Sequence, residues 1–202
     1  GWNKPGRNKD NHGRKRQMMK IGVFALQGAF IEHINALKRL GADCVEIRNS
    51  EDIMGVDRLV LPGGESTVQG KLLHKTGLFE KAKDLIDQGM PTLATCAGLI
   101  LLASSLSNDE NTYLSTLPMT VKRNAFGRQL GSYEERGKVL GFEDFPMVFI
   151  RAPYIENIGD GVERIAESKG HIVGVKYKSQ IALSFHPELT DDLRLHEYFL
   201  SI

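Results

Sequence analysis

Three short segments carry residue types that could do chemistry together. In Pro91-Thr92-Leu93-Ala94-Thr95-Cys96-Ala97-Gly98-Leu99-Ile100-Leu101-Leu102-Ala103 an apolar run meets small residues and turns into a helical pattern, with Cys96 at the corner. A nucleophile at a strand-to-helix turn sits in a tight bend that projects toward solvent and closes only around small neighbours, here Ala94 and Gly98. The following helix aims its first N–H groups and positive dipole end at the sulfur, which favours the thiolate. The second segment is His186-Pro187-Glu188. The residue before proline is pushed toward extended geometry, and extended residues two apart point the same way. Glu188 can then orient His186 as a general base. In the third, Pro62-Gly63-Gly64-Glu65-Ser66, a glycine-rich strand end can turn an N–H toward a tetrahedral oxyanion without steric cost, with the N–H of Ala97 as second donor. Together these describe acyl transfer through a cysteine. Read singly, they also fit a buried core thiol, a surface turn and a glycine turn.

Positioning such a set needs strands whose carboxyl ends meet at one edge. Lys20 to Leu26 reads as a strand buried on both faces, and Phe30 to Leu40 as a helix with Gly41 as its cap. Cys44 to Ile47 and Arg58 to Leu61 supply two more strands. Ser66 is expected to cap a helix running toward Gly77, and a second helical stretch covers Leu78 to Asp87. Alternating strands and helices predict a doubly wound α/β sheet, with ligands bound at the strand carboxyl ends where Gly63, Gly64 and Cys96 fall. From Ser104 to Phe145 the periodicity fades, leaving one clear strand at Met119-Thr120-Val121. Met147 to Ile150 reads as a strand, His171 to Lys178 and Gln180 to Phe185 as a C-terminal hairpin, and Thr190 as the cap of a final helix.

The 202 residues, 41% of them hydrophobic, suit one domain with a full-sized core. Residues 1–17 carry a net +5 and the remainder −4. The polar, Gly-rich start lacks an apolar signal core and reads as an expression-derived extension, with residues 18–202 as the domain. A mildly acidic body argues against nucleic-acid binding, and no apolar run is long enough to span a membrane. Cys44 and Cys96 make no disulfide framework, which fits a cytoplasmic setting. Cys44 has no base or metal-ligand spacing nearby and is assigned to the core.

Taken in order, Pro62-Gly63-Gly64-Glu65-Ser66, Thr95-Cys96-Ala97-Gly98 and His186-Pro187-Glu188 resemble the class I, or triad, glutamine amidotransferases. With Val23-Phe24-Ala25-Leu26-Gln27-Gly28 and Cys96-Ala97-Gly98-Leu99-Ile100, the chain is similar to the glutaminase subunits of two-component pyridoxal 5′-phosphate synthases from Met19 to its end. The resemblance implies a flavodoxin-like three-layer α/β sandwich with a mostly parallel sheet. It implies hydrolysis of L-glutamine by Cys96, His186 and Glu188, with ammonia passed to a separate synthase subunit. It also implies an oxyanion hole at Gly63, Gly64 and Ala97, and glutamine held by Gly64, Glu65, Ser66, Arg123, Ile150 and Arg151. An arginine suits the substrate carboxylate. No metal or cofactor is expected, pyridoxal phosphate being the product of the complex. Ala94 departs from the wider amidotransferase elbow, where glycine is usual. Two rivals stand beside this reading: a cysteine peptidase or related hydrolase on the same fold, and a catalytically silent regulatory subunit.

Overall fold

The computed structural model describes residues 19–123 and 131–202; the basic extension lies outside them. Five parallel strands form the centre of the sheet in the order β2-β1-β3-β4-β12. They are β1 Lys20–Phe24, β2 Asp43–Ile47, β3 Arg58–Leu61, β4 Thr92–Thr95 and β12 Gln180–Leu183. Because successive side chains in a strand point to opposite faces, Leu59 and Leu61 enter one core and Val60 the other. Helices α2 (Ser66–Lys75), α3 (Phe79–Asp87) and α4 (Ala97–Leu102) cover the first face through Leu73, Ala82, Ile86 and Leu99. On the second face α1 (Phe30–Arg39) and α5 (Arg194–Ser201) bury Ile34, Leu37, Leu195 and Phe199. The result is the three-layer sandwich expected from the alternating pattern, with its mostly parallel centre.

Beyond β12 the sheet turns antiparallel. Strand β11 (His171–Tyr177) forms the expected hairpin with β12, and β10 (Glu163–Ser168), β7 (Ser132–Val139) and β8 (Phe142–Ile150) extend it. Strands β5 (Ala103–Leu106), β6 (Leu117–Lys122) and β9 (Tyr154–Ile158) branch from this side. The segment read as fading therefore holds β5 to β7 and the start of β8, and the strand expected at Met147 to Ile150 is the end of a nine-residue strand. β7 alternates exposed with half-buried residues, so it lacks the apolar face that marks a strand.

Two expected caps are corrected. Glu65, not Ser66, precedes α2, and Ser66 is its buried first residue. Thr190 closes the preceding turn, its hydroxyl accepting from the Asp192 N–H, while the Asp192 carboxylate accepts from the Arg194 N–H where α5 begins.

Candidate active site

The elbow forms where β4 ends. Cys96 has φ 52°, ψ −104° between β4 and α4, a conformation that costs an L-residue on the order of 1–3 kcal/mol and must be held by its surroundings. Close packing on either side holds it. A Cβ on Gly98 would stand 2.1 Å from the Leu61 carbonyl oxygen, so α4 can lie this close to β3 only with glycine there. Ala94 lies inside β4, level with Leu61 and Ala182 on the flanking strands, and its methyl group fills the core. The strain thus falls on Cys96, while Ala94 keeps ordinary strand geometry. The thiol does not project into solvent as expected: Cys96 is 8% exposed at the floor of a cavity, with Sγ 3.9 Å from the Ile150 carbonyl oxygen.

His186 follows β12, its N–H donating to the Val148 carbonyl at 2.9 Å. Its Nδ1 lies 2.5 Å from Glu188 Oε1. The pair meets across a single 3-10 turn, Pro187–Leu189, and not along an extended strand. Proline at the first position of that turn, with its φ already helical, explains the difference. Burial works against a charged His186, but the Cys96 sulfur and the Glu188 carboxylate outweigh it and raise the imidazole to about 10. Burial also works against the Glu188 carboxylate, yet attraction to His33 and the hydrogen bond with His186 hold it below the ordinary range. The imidazole is thus held by Glu188, with the Cys96 sulfur as its other polar neighbour.

The glycine corner stands against this pair. A Cβ on Gly63 would lie 2.5 Å from His186 Cε1 and 3.6 Å from Cys96 Cβ. Gly64 has φ 153°, and a Cβ there would meet Gln27 Oε1 at 2.3 Å. The Gly63 carbonyl accepts from the Ala29 N–H at 3.1 Å, and the Glu65 N–H donates to Gln27 Oε1 at 2.8 Å. Gln69 Nε2 donates to the carbonyls of Gln27 and Pro62. The corner is therefore braced by Gln27 and Gln69, a role that sequence reasoning missed for both. Gln69 carries a signal, as a polar residue on the buried face of α2.

The cavity has a volume of about 450 Å³. Gly63, Gly64, Glu65, Ser66, Cys96, Ala97, Arg123, Ile150, Arg151 and His186 all line it, while Glu188 stands behind His186. Arg123 is held by Tyr113, whose hydroxyl accepts from Nη2 at 2.7 Å, and lies 3.5 Å from Asp109 Oδ2. Tyr113 in turn sets one ring edge against Gly70, where a Cβ would come within 2.4 Å of it. Ile150 is 40% exposed at the end of β8, and Arg151 turns at φ 45° with its N–H on the Gly131 carbonyl. A thiol, an imidazole, a glycine corner and a guanidinium thus surround one volume. Among the described residues, no group of His, Cys, Asp or Glu is arranged to hold a metal ion, and no helix is long and apolar enough to cross a membrane.

The same chain is similar to named proteins and solved structures. A pyridoxal 5′-phosphate synthase subunit PdxT from Desulfitobacterium hafniense (strain Y51) is 57% identical over 183 residues, 90% of this chain and 92% of that protein. The PdxT of Bifidobacterium longum (strain NCC 2705) is 49% identical over 188 residues, 90% of this chain and 99% of that one. A crystal structure of a glutamine amidotransferase superposes with a TM-score of 0.86 at 45% identity, covering 90% of this chain and 97% of the other. A glutamine amidotransferase from Thermotoga maritima shares the fold, with a TM-score of 0.59 at 17% identity, 92% of this chain and 84% of the other. The family model described as SNO glutamine amidotransferase matches residues 23–202, and the chain belongs to that family.

Proposed function

We propose that the chain hydrolyses L-glutamine to L-glutamate and ammonia at Cys96 and delivers the ammonia to a pyridoxal 5′-phosphate synthase subunit. The observation that carries this reading is the convergence on one cavity of a strained cysteine, a carboxylate-clamped histidine and the Gly63-Gly64 corner. The sulfur attacks the side-chain amide carbon, and the negative oxygen that develops is met by the N–H of Ala97 and an N–H of the Gly63-Gly64 corner. His186 Nε2 gives its proton to the departing nitrogen, and ammonia leaves. A γ-glutamyl thioester remains on Cys96. His186, now neutral, takes a proton from water as the water attacks the thioester, and glutamate and the thiolate are released. Glu188 keeps the imidazole oriented throughout.

In the same reading Arg123 meets the substrate α-carboxylate, and Gly64, Glu65, Ser66, Ile150 and Arg151 complete the glutamine pocket. A free reactive thiol suits a cytoplasmic setting. Residues 18–202 act as one amidotransferase domain, the preceding residues contributing nothing to it. Ammonia release from glutamine, followed with wild-type chain and Cys96→Ala in the presence of the synthase subunit, tests the reading. Turnover in the wild type alone supports it; equal turnover in both removes Cys96 from the reaction.

A further inference from the structure

Behind the clamped histidine lies a second, wholly buried polar group that glutamine hydrolysis as derived from Cys96, His186 and Glu188 does not use. His33 of α1, His196 of α5 and Thr95 of β4 have no exposed surface. His33 Nδ1 is 3.0 Å from His196 Nε2, and His33 Nε2 is 3.1 Å from Thr95 Oγ1. The same Nε2 stands 3.5 Å from Glu188 Oε2. That oxygen makes no hydrogen bond among the described residues, whereas its twin Oε1 is taken by His186. A buried carboxylate oxygen without a donor is costly, and His33 is the ring placed to offset that cost.

The tautomer follows from the partners. With its proton on Nε2, neutral His33 directs an N–H at Thr95 Oγ1 and Glu188 Oε2, and its Nδ1 accepts from His196 Nε2–H. The atom left over is then a lone pair on His196 Nδ1, which is indeed buried without a partner among the described residues. With the proton on Nδ1, a lone pair would face the carboxylate and His196 would bury an unpaired N–H. The first arrangement satisfies more groups.

We propose that His33 is a positioning residue: as the neutral Nε2–H tautomer, fixed from behind by His196, it steadies Glu188 through Oε2 so that Oε1 stays on His186. The role rests on the reading of Cys96, His186 and Glu188 as the reacting set. At 3.5 Å the contact with Oε2 is electrostatic rather than a full hydrogen bond. The titratable groups facing the ring are Glu188 and His186, His196 of α5 and Glu32 of its own helix. Burial holds His33 below the ordinary histidine range, against the pull of Glu188 and with the push of His186. Neutrality matters, because a second imidazolium would compete with His186 for the carboxylate.

Nitrogen-15 NMR of the histidine-labelled wild-type chain reads the tautomer directly. His33 is expected to stay neutral and protonated on Nε2 throughout the neutral range; a charged ring or an Nδ1–H tautomer would overturn the proposal. The functional arm measures the pH profile of glutamine hydrolysis, with the synthase subunit present, for His33→Leu and His33→Gln. The leucine variant is expected to lose about tenfold or more in kcat, the scale of a lost orienting partner, with KM nearly unchanged and the acidic limb moved to higher pH. Glutamine, whose amide nitrogen can reach the place of Nε2, is expected to restore most of kcat. Equal losses in both variants with an unmoved acidic limb would make His33 merely structural. Persistent turnover in Cys96→Ala would instead strike the triad reading and leave the NMR result standing.

Discussion

Gly63 lies so close to His186 that a single added carbon would stand 2.5 Å from the imidazole Cε1. Gly63 thus makes room for the imidazole. Gly63→Ala is expected to displace the ring and lower kcat by on the order of a hundredfold or more, comparable to losing an oxyanion donor, while the domain stays folded. Loss of ammonia release with an unchanged circular dichroism spectrum checks this; near wild-type turnover would mean that the ring is not confined as described.

His186→Asn and Glu188→Gln separate proton transfer from orientation. The asparagine variant is expected to lose nearly all turnover, and the glutamine variant to keep a measurable residue, because Glu188 holds the ring without itself moving the proton. Steady-state kinetics of the two variants decide the matter. Equal losses would give Glu188 a larger part than orientation.

Arg123 is braced by Tyr113 and Asp109 at the cavity wall. Arg123→Met is expected to raise KM for glutamine about tenfold or more by removing the partner of the α-carboxylate, with alkylation of Cys96 at its wild-type rate. A variant with unchanged KM would place the substrate carboxylate elsewhere.

The buried histidines make acid stability a further test. Burial lowers His33, and burial with repulsion from His33 lowers His196 to about 3. A histidine depressed in the folded chain adds stability above its unfolded pKa near 6.5 and loses it as the pH falls. His186 is raised, so its contribution is complete below about 6.5 and is lost only as the pH rises toward about 10. Glu188 is lowered and contributes until the pH falls below the ordinary carboxylate range. Between about pH 6 and 5 His196 therefore removes up to roughly 1.4 kcal/mol per pH unit, and the lowered His33 acts in the same direction. Urea denaturation across this window should show the fall, and His196→Phe should flatten it. A constant stability would mean that the rings are not held neutral.

The parts of the site written in local sequence were legible. Cys96 stands between an apolar run and a helical pattern, and Gly63-Gly64 ends a second apolar run, so a doubly wound sheet brings both to one edge. What failed was long-range or hidden by solvent. β7 and β10 lie in the antiparallel extension, and β7 has no apolar stripe to announce it. The pairing of His186 with Glu188 is legible, but through an extended geometry that the chain replaces with a 3-10 turn. His33 sits beside Ile34 on the inward face of α1, where nothing local marks a polar residue as a partner of a carboxylate 155 positions on.

The Gly63 carbonyl is pinned by the Ala29 N–H, so rotating the Gly63-Gly64 peptide must break that bond. A protein that feeds a synthase gains from firing only when docked, since free ammonia is protonated and diluted. The isolated chain is expected to be a weak glutaminase whose turnover rises about a hundredfold on docking, through selection of the donor-in state of this peptide. Agreement of the rates with and without saturating synthase subunit would exclude gating and leave the reacting residues untouched.

The step that defines the proposed reaction is the opening of glutamine on Cys96. Its most direct test is mass spectrometry of the intact chain, quenched in acid during turnover of glutamine with the synthase subunit present. A fraction of wild-type chain is expected to be heavier by one γ-glutamyl group, lost on treatment with hydroxylamine, mapped to Cys96 and absent from Cys96→Ala. Ammonia release by Cys96→Ala at the wild-type rate, or an adduct mapped to any other residue, would contradict it.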